Sequence, residues 1–207
     1  MSSNKKLART LILFLPLLIF SCSKEKKEQA KQMLDFNNPK VVMEETKKLL
    51  GDNVKFAHKG KFRGEIPVEI AAGVEISDKN NWGIKFYLLN SVENKLVSIY
   101  ETKLLEGSFN ECLVNQFKFP GFDYELVYYN SQDYFLGSGG GEIFSYIIDF
   151  KKQNTYYAHL FSGPRKPVSL FLSENINNQR IKDFFISNFR RDFPSLTVVP
   201  DDVDLDL

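Results

Sequence analysis

The sequence predicts an α+β fold, in which an antiparallel β-meander of about eight strands is flanked by an N-terminal and a C-terminal helix. Three observations support this fold class. Apolar residues follow helical spacing up to residue 50, alternate from residue 53, and return to helical spacing after residue 177. The connections between the alternating runs are short, so neighbouring strands are expected to pair antiparallel.

The first helix is predicted between Asn38 and Gly51. Asn38 suits the N-cap, Pro39 suits the first helical position, and Gly51 suits the stop. One face of this segment is mostly apolar, and it carries Val42, Met43, Thr46, Leu49 and Leu50.

Eight alternating runs follow and are predicted as strands. The clearest lies in "IPVEIAAGVEIS", where apolar residues at 68, 70, 72, 74 and 76 predict a half-buried strand. A second alternation begins at Trp82 and includes Leu88. The other runs are 96–103, 111–119, 122–129, 142–150, 155–161 and 168–172. Turn-forming residues separate many of these runs, as in "PG", "NSQD", "KKQN" and "SGPRKP".

The last helix is predicted in "NNQRIKDFFISNFRRDFP". Asn177 or Asn178 can cap it, and Pro194 ends it. The residues at helical spacing are Ile181, Phe184, Phe185, Asn188 and Phe189. Residues 38–199 are therefore predicted as one globular domain, followed by an acidic tail at 200–207. The aspartates of this tail resemble only the start of a calcium loop, so the tail is interpreted as solvated.

The charge balance argues against a nucleic-acid-binding protein. The chain has 27 Lys and Arg residues against 26 Asp and Glu residues. All of Lys5, Lys6 and Arg9 precede the apolar run at 11–20, and no acidic residue does, so removal of residues 1–21 leaves a net charge of −2. A nucleic-acid binder would show a basic excess or stripe.

The first 22 residues have the layout of a secretory signal. Basic residues come first, then a short apolar run, then Ser21 and Cys22. The run is too short to span a bilayer, which needs about 20 apolar residues. The alternative is a short N-terminal anchor that stays uncleaved.

The sequence Ile19-Phe20-Ser21-Cys22 resembles the lipobox of bacterial lipoproteins. This resemblance implies that residues 1–21 are a signal peptide and that Cys22, modified with diacylglycerol and acylated on its amine, begins a tether at 22–37. It also implies a membrane partner through the lipid. Ser23 after the cysteine implies the outer rather than the inner membrane. The charged run 24–28 resembles surface-export tags, or is simply a solvated tether.

Only Cys22 and Cys112 are present, so a lipidated Cys22 would exclude an intramolecular disulfide at Cys112. The alternative is a Cys22–Cys112 bridge in an oxidising envelope, which requires cleavage upstream of Cys22. With lipid on Cys22, Cys112 is expected to be a buried, inert thiol.

No motif in the sequence indicates a catalytic, cofactor or metal site. The stretch "FLGSGGGEIF" at 135–144 lacks a Gly-Lys-Ser/Thr and precedes a predicted strand, so it is interpreted as a glycine-rich connection or bulge. His58, His159 and Cys112 lack the spacing of zinc ligands. His159 is expected to be a hydrogen-bonded histidine of the sheet, although a dispersed Ser-His-Asp triad stays open.

Tyrosines crowd the adjacent strands between residues 122 and 161. Their rings are candidates for stacking on sugars or for gripping a peptide or partner protein, if they face solvent. The alternative is that they cap the core, because tyrosine favours strands. The candidate ligand-binding residues are Tyr124, Tyr128, Tyr129, Tyr134, Tyr156 and Tyr157.

Three functions remain open at this point. A non-enzymatic binding or assembly module of the cell envelope, with a protein or glycan partner, predicts a contiguous exposed aromatic patch. An envelope hydrolase predicts a histidine within reach of both a carboxylate and a hydroxyl or thiol. A carrier of a lipophilic ligand predicts a large apolar cavity inside a closed barrel.

Overall fold

Two helices and ten strands form the described part of the chain. The computed structural model describes residues 33–64, 68–79, 81–110, 112–131, 140–163 and 166–199. Their order is α1 (Pro39–Leu50), β1 (Val54–Gly60), β2 (Glu69–Ser77), β3 (Trp82–Val92), β4 (Lys95–Glu101), β5 (Leu113–Lys118), β6 (Glu125–Asn130), β7 (Gly141–Asp149), β8 (Asn154–Ser162), β9 (Ser169–Leu172), α2 (Gln179–Asp192) and β10 (Thr197–Val199). Neither described helix is long and apolar enough to cross a membrane.

The strands form two sheets, so the prediction of a single eight-stranded meander is wrong. The first sheet has the order β1-β2-β3-β4, and the second has the order β10-β9-β8-β7-β6-β5. All pairs are antiparallel except β9 with β10, which follow one another through α2. The sheets separate after β4, where Leu105 pairs with Ile84 before the chain starts β5. Alternation identifies strands, but it does not identify which strands pair.

All eight runs predicted as strands form strands, and two more strands were missed. In β1 the register shifts between Val54 and Phe56, and the shift places Val54 and Phe56 in different core clusters. β1 lies within the region that alternates from residue 53, but no strand is predicted there, and the bulge turns the two alternating apolar residues to opposite faces. The other missed strand, β10, has only three residues.

The core lies in three layers between α1, the first sheet, the second sheet and α2. Between α1 and the first sheet lie residues such as Val42, Ile70 and Leu89. Between the two sheets lie Phe56, Phe62, Ala71, Ile84, Phe86, Leu88, Val127, Tyr129, Tyr146, Ile148 and Phe150. Between the second sheet and α2 lie sixteen buried residues that include Ile147 and Phe185. Side chains fill the space between the sheets, so the described strands form no closed barrel around a ligand.

Both helices begin where the sequence predicted. The Asn38 side chain accepts a hydrogen bond from the Lys40 amide at 3.0 Å, and Pro39 is the first residue of α1. Of the two candidate caps for α2, Asn178 is used, and its side chain accepts from the Arg180 amide at 3.0 Å. These caps satisfy amides that have no partner within the helix.

Several predicted segments lie outside the described residues. They are the signal peptide at 1–21, Cys22, the tether as far as residue 32, Tyr134 and the acidic tail at 200–207.

Candidate functional site

The described candidate tyrosines lie mainly in the core. Tyr124, Tyr128, Tyr129 and Tyr156 are at most 6% exposed. Tyr157 is half-buried beside the cluster between the sheets. Tyrosines of β6 point to opposite faces of the second sheet, and both faces are covered, one by α2 and the other by the first sheet. These five rings therefore do not form the contiguous exposed patch that the sequence suggested.

Two of these tyrosines support neighbouring segments through their hydroxyl groups. The Tyr129 hydroxyl donates to the Ser108 carbonyl oxygen at 2.6 Å and accepts from the Ser108 amide at 3.1 Å. The Tyr124 hydroxyl donates to Oδ2 of the buried Asp149 at 2.9 Å. In both residues the ring packs in the core and the hydroxyl bonds to a neighbouring segment, which is the role expected of a buried tyrosine.

Raised tyrosine pKa values predict that the fold weakens at alkaline pH. Burial, followed by the charge and hydrogen bonding of Glu101, raises the pKa of Tyr87 to about 12 from an ordinary value of 10.0. Burial also raises the pKa of Tyr124 and of Tyr146. The native chain therefore holds these protons more tightly than the unfolded chain does. Their contribution to stability is complete below about pH 10 and decreases as the pH rises above 10, and that of Tyr87 is lost as the pH passes about 12.

Urea unfolding between about pH 8 and pH 11 measures this effect. The urea concentration at the midpoint of unfolding is expected to decrease once the pH exceeds 10. Phenolate absorbance is expected to rise together with unfolding. The Tyr146→Phe variant should lose part of the slope, because it removes one of the raised pKa values. A urea midpoint that stays constant between about pH 8 and pH 11 would contradict the prediction.

One described tyrosine, Tyr128, lines an open groove with aromatic and amide side chains. The groove lies between β5 and the C-terminal half of α2, has a volume of about 530 Å³, and is called here the α2–β5 groove. Its lining residues are Leu113, Asn115, Phe117, Tyr128, Asn130, Ile143, Phe184, Asn188, Phe189, Arg191, Asp192 and Phe193. Alternation along β5 places its odd-numbered residues on this side.

The floor of the groove is built from interlocking aromatic rings. The rings of Phe117 and Phe184 stack with centroids 5.5 Å apart and planes 13° apart. Tyr128 meets Phe184 edge to face, with centroids 5.2 Å apart. Helical spacing then places Asn188 one turn beyond Phe184 on the same side of α2. A rigid apolar floor of this kind offers contact area at a low cost in conformational entropy.

The rim of the groove is polar. It carries the amide side chains of Asn115, Asn130 and Asn188 and the adjacent charges of Arg191 and Asp192. The Asn130 amide donates to the Tyr128 hydroxyl at 3.1 Å and to Ser145 Oγ at 2.6 Å, so its orientation is set by the sheet. Arg191 Nε lies 3.2 Å from Asp192 Oδ1. An apolar floor with a few fixed polar groups is typical of a binding site.

A second groove of about 610 Å³ lies beside β1 and the start of α1. Several of its polar groups bond to each other: Lys59 Nζ donates to Asn37 at 2.7 Å, and the Lys61 amide donates to Glu125 at 2.6 Å. The α2–β5 groove has the aromatic lining and follows the whole of β5, whereas the second groove borders only the last part of β1, so the α2–β5 groove is the stronger candidate.

The histidines do not assemble a catalytic triad within the described residues. His58 is exposed and meets Phe56 edge to face. His159 Nε2 lies 3.1 Å from Glu142 Oε2, as expected for a hydrogen-bonded histidine of the sheet, and its ring stacks on Phe144 at 4.5 Å. No described hydroxyl or thiol is hydrogen-bonded to His159, and its buried Nδ1 has no described hydrogen-bond partner.

The remaining predicted features have structural explanations where they are described. Cys112 is half-buried rather than buried as expected, and its thiol lies 3.5 Å from the Phe109 carbonyl oxygen. Gly140 has a φ of 99°, and a side chain there would collide with the Ser162 carbonyl oxygen. A strand, β7, begins at Gly141 within the glycine-rich stretch, and residues 132–139 lie outside the described ranges. Among described residues no cluster of His, Cys, Asp or Glu could hold a metal ion.

Comparisons with known proteins do not assign this chain to a family. The chain matches no protein family, no curated protein and no solved structure.

Of the groove residues, the sequence singled out Tyr128 as a ligand contact and missed Asn115, Phe117, Phe184 and Asn188. Alternation in β5 and helical spacing in α2 do place these residues on single faces, but neither pattern indicates that the two faces meet.

Proposed function

We propose that this chain is a lipid-anchored, non-catalytic binding or assembly protein of the bacterial cell envelope, which holds an extended peptide segment in the α2–β5 groove. The observation that supports the proposal is the α2–β5 groove itself, which has an aromatic floor and an amide rim and lies alongside an outer strand. The resemblance of residues 19–22 to a lipobox supports the location.

An extended peptide suits this groove better than a compact ligand. The strand β5 ends the second sheet in the described structure, so one of its backbone edges is open to pairing. A peptide that adds to such an edge gains main-chain hydrogen bonds, and its alternate side chains enter the neighbouring groove. The amide side chains of Asn115 and Asn188 can pair with peptide groups at the rim.

The lipid anchor predicts a defined mature N-terminus. Mass spectrometry of the protein extracted from bacterial membranes is expected to show Cys22 as the first residue, with diacylglycerol on its sulfur and an acyl chain on its amine. The Cys22→Ser variant is expected to leave the membrane fraction, because one or more acyl chains supply the anchoring energy. An unmodified Cys22, or a chain that starts elsewhere, would overturn this part of the proposal.

Filling the groove is expected to weaken peptide binding. The probes are eight-residue peptides with apolar residues at alternate positions, together with scrambled peptides of the same composition. The wild-type chain is expected to bind some alternating peptides and none of the scrambled ones. Asn188→Trp places a large ring at the rim and is expected to weaken binding about tenfold or more.

Ser187→Trp is the matched control for this experiment. Ser187 is exposed on α2 one residue before Asn188 and does not line the groove. The same substitution there is expected to leave the peptide affinity unchanged. Equal losses in both variants, or equal binding of alternating and scrambled peptides, would argue against the groove as the binding site.

A further inference from the structure

The outer strand β5 differs from the other outer strands of the two described sheets. Natural sheets protect their outer strands with bulges, charges or short length. On the first sheet, β1 has a register shift and two lysines, Lys55 and Lys59, and β4 has a register shift opposite Leu88 and Leu89. On the second sheet, β10 has only three residues and pairs in parallel.

None of these protective features interrupts β5. All six of its residues pair with β6 in one continuous register. Its sequence, Leu-Val-Asn-Gln-Phe-Lys, contains no charged residue before its last position and no proline. A regular, uncharged outer strand is a ready template for another strand. Its position beside an aromatic groove points to a strand-like occupant.

The two sides of β5 differ in chemistry. The odd-numbered residues face the α2–β5 groove, as described above. On the other side, Gln116 donates to the Lys59 carbonyl oxygen at 3.2 Å, which brings the end of β1 next to β5. Described charged residues on that side include Lys59, Lys61, Lys118 and Glu125. These four residues carry three positive charges against one negative charge.

Residues 200–207 of this same chain have side chains that complement both sides of β5. In "PDDVDLDL", the apolar residues Val203, Leu205 and Leu207 alternate with Asp202, Asp204 and Asp206. In an added strand, successive side chains point to opposite faces. With its apolar residues in the groove, such a strand would direct its aspartates towards the lysines beside β1.

The donor of this strand must be another molecule. The segment follows β10, which lies at the opposite side of the second sheet, five strand spacings from β5. Five spacings amount to about 24 Å, whereas the four residues from Val199 to Val203 span at most about 14 Å. A strand that starts near Val203 cannot therefore lie along β5 of its own chain.

We propose that residues 200–207 of a second copy bind along β5 as an added strand, with Val203, Leu205 and Leu207 in the α2–β5 groove. The proposal rests on the proposed function of the groove and names its partner. The contact is head to tail, since donor and acceptor surfaces differ, so a bound copy still presents a free groove. Copies held at one membrane surface would thereby associate in rows.

The test is complementation between a donor variant and an acceptor variant, measured by sedimentation of the protein in detergent. The donor variant is Leu205→Asp, and the acceptor variants are Asn188→Trp and Leu113→Glu. The wild-type chain is expected to associate as its concentration rises. Each variant alone is expected to stay monomeric. A mixture of donor and acceptor variants is expected to form one-to-one dimers, because one partner supplies an intact segment and the other an intact groove.

A peptide with the sequence of residues 200–207 provides a second measurement. It is expected to dissociate the wild-type assembly, whereas a scrambled peptide with its three apolar residues adjacent is not. Lys61→Gln and Lys118→Gln together are expected to weaken peptide binding about threefold or more, since they remove two of the facing charges. Ser187→Trp is the control that should associate as the wild type does.

Three results would overturn this inference. The first is a chain that stays monomeric while its groove binds other alternating peptides, a result that leaves the proposed function standing. The second is association that Leu113→Glu abolishes and Leu205→Asp does not, which indicates β5 paired with β5. The third is association that all variants retain. If no peptide of any sequence binds the groove, the proposed function fails as well.

Discussion

Replacing Phe185 with alanine is expected to lower the free energy of unfolding by about 3–5 kcal/mol. Phe185 is fully buried between α2 and the second sheet, in the largest of the three core clusters among the described residues. The truncation removes apolar contacts and leaves a cavity that a helix packed on a sheet can fill only in part. Because α2 forms one wall of the α2–β5 groove, the same change is expected to weaken peptide binding.

Urea unfolding monitored by circular dichroism measures this loss. Phe161→Ala is the matched control, because Phe161 lies on β8 and is 39% exposed. Its truncation is expected to cost about 1 kcal/mol or less. Equal losses in the two variants would mean that α2 does not pack on the second sheet as described.

Removing the side chain of Arg63 is expected to have an effect of similar size. Glu69 is fully buried at the start of β2, and its Oε1 lies 2.6 Å from Arg63 Nε. Its Oε2 accepts from the Arg63 amide at 2.8 Å. Arg63→Ala leaves a buried carboxylate without its charged partner, which costs about 3–5 kcal/mol.

Two comparisons separate this effect from ordinary loss of an ion pair. Lys85→Ala removes the exposed pair with Glu101, whose side chain is 53% exposed, and should cost about 0–1 kcal/mol. The double change Arg63→Met with Glu69→Leu removes both charges and should recover most of the stability, because no buried charge remains. A loss of less than about 1 kcal/mol in Arg63→Ala would show that Glu69 does not depend on Arg63.

The helices were predictable because their ends depend on neighbouring residues alone. Asn38 and Asn178 each bond to an amide two residues further along the chain. Such contacts form within a few residues, so the sequence contains all that they require. The same holds for most strands, whose alternation requires only one buried and one less buried face.

The pairing of the strands was not predictable in the same way. After Glu101 the chain still contacts β3, through Thr102 with Phe86 and through Leu105 with Ile84, and then starts a new sheet. Nothing local distinguishes that connection from a turn within one meander. The choice is made by apolar residues far apart in sequence, such as Phe86 and Tyr129, whose rings meet between the sheets at 6.0 Å.

The tyrosines show most clearly which features the sequence predicts and which depend on tertiary contacts. Alternation determined that Tyr128 and Tyr129 point to opposite faces of their strand, and the structure agrees. It did not determine which face meets solvent, because that depends on what covers each face. By itself, the sequence determined the two helices and the cap of the first, most strands, and the lipobox resemblance that underlies the proposed anchor, since all of these depend on short-range patterns. Only the tertiary structure decided that there are two sheets, that most of the described candidate tyrosines are core, and that β5 and α2 enclose a groove, because these depend on contacts between distant segments.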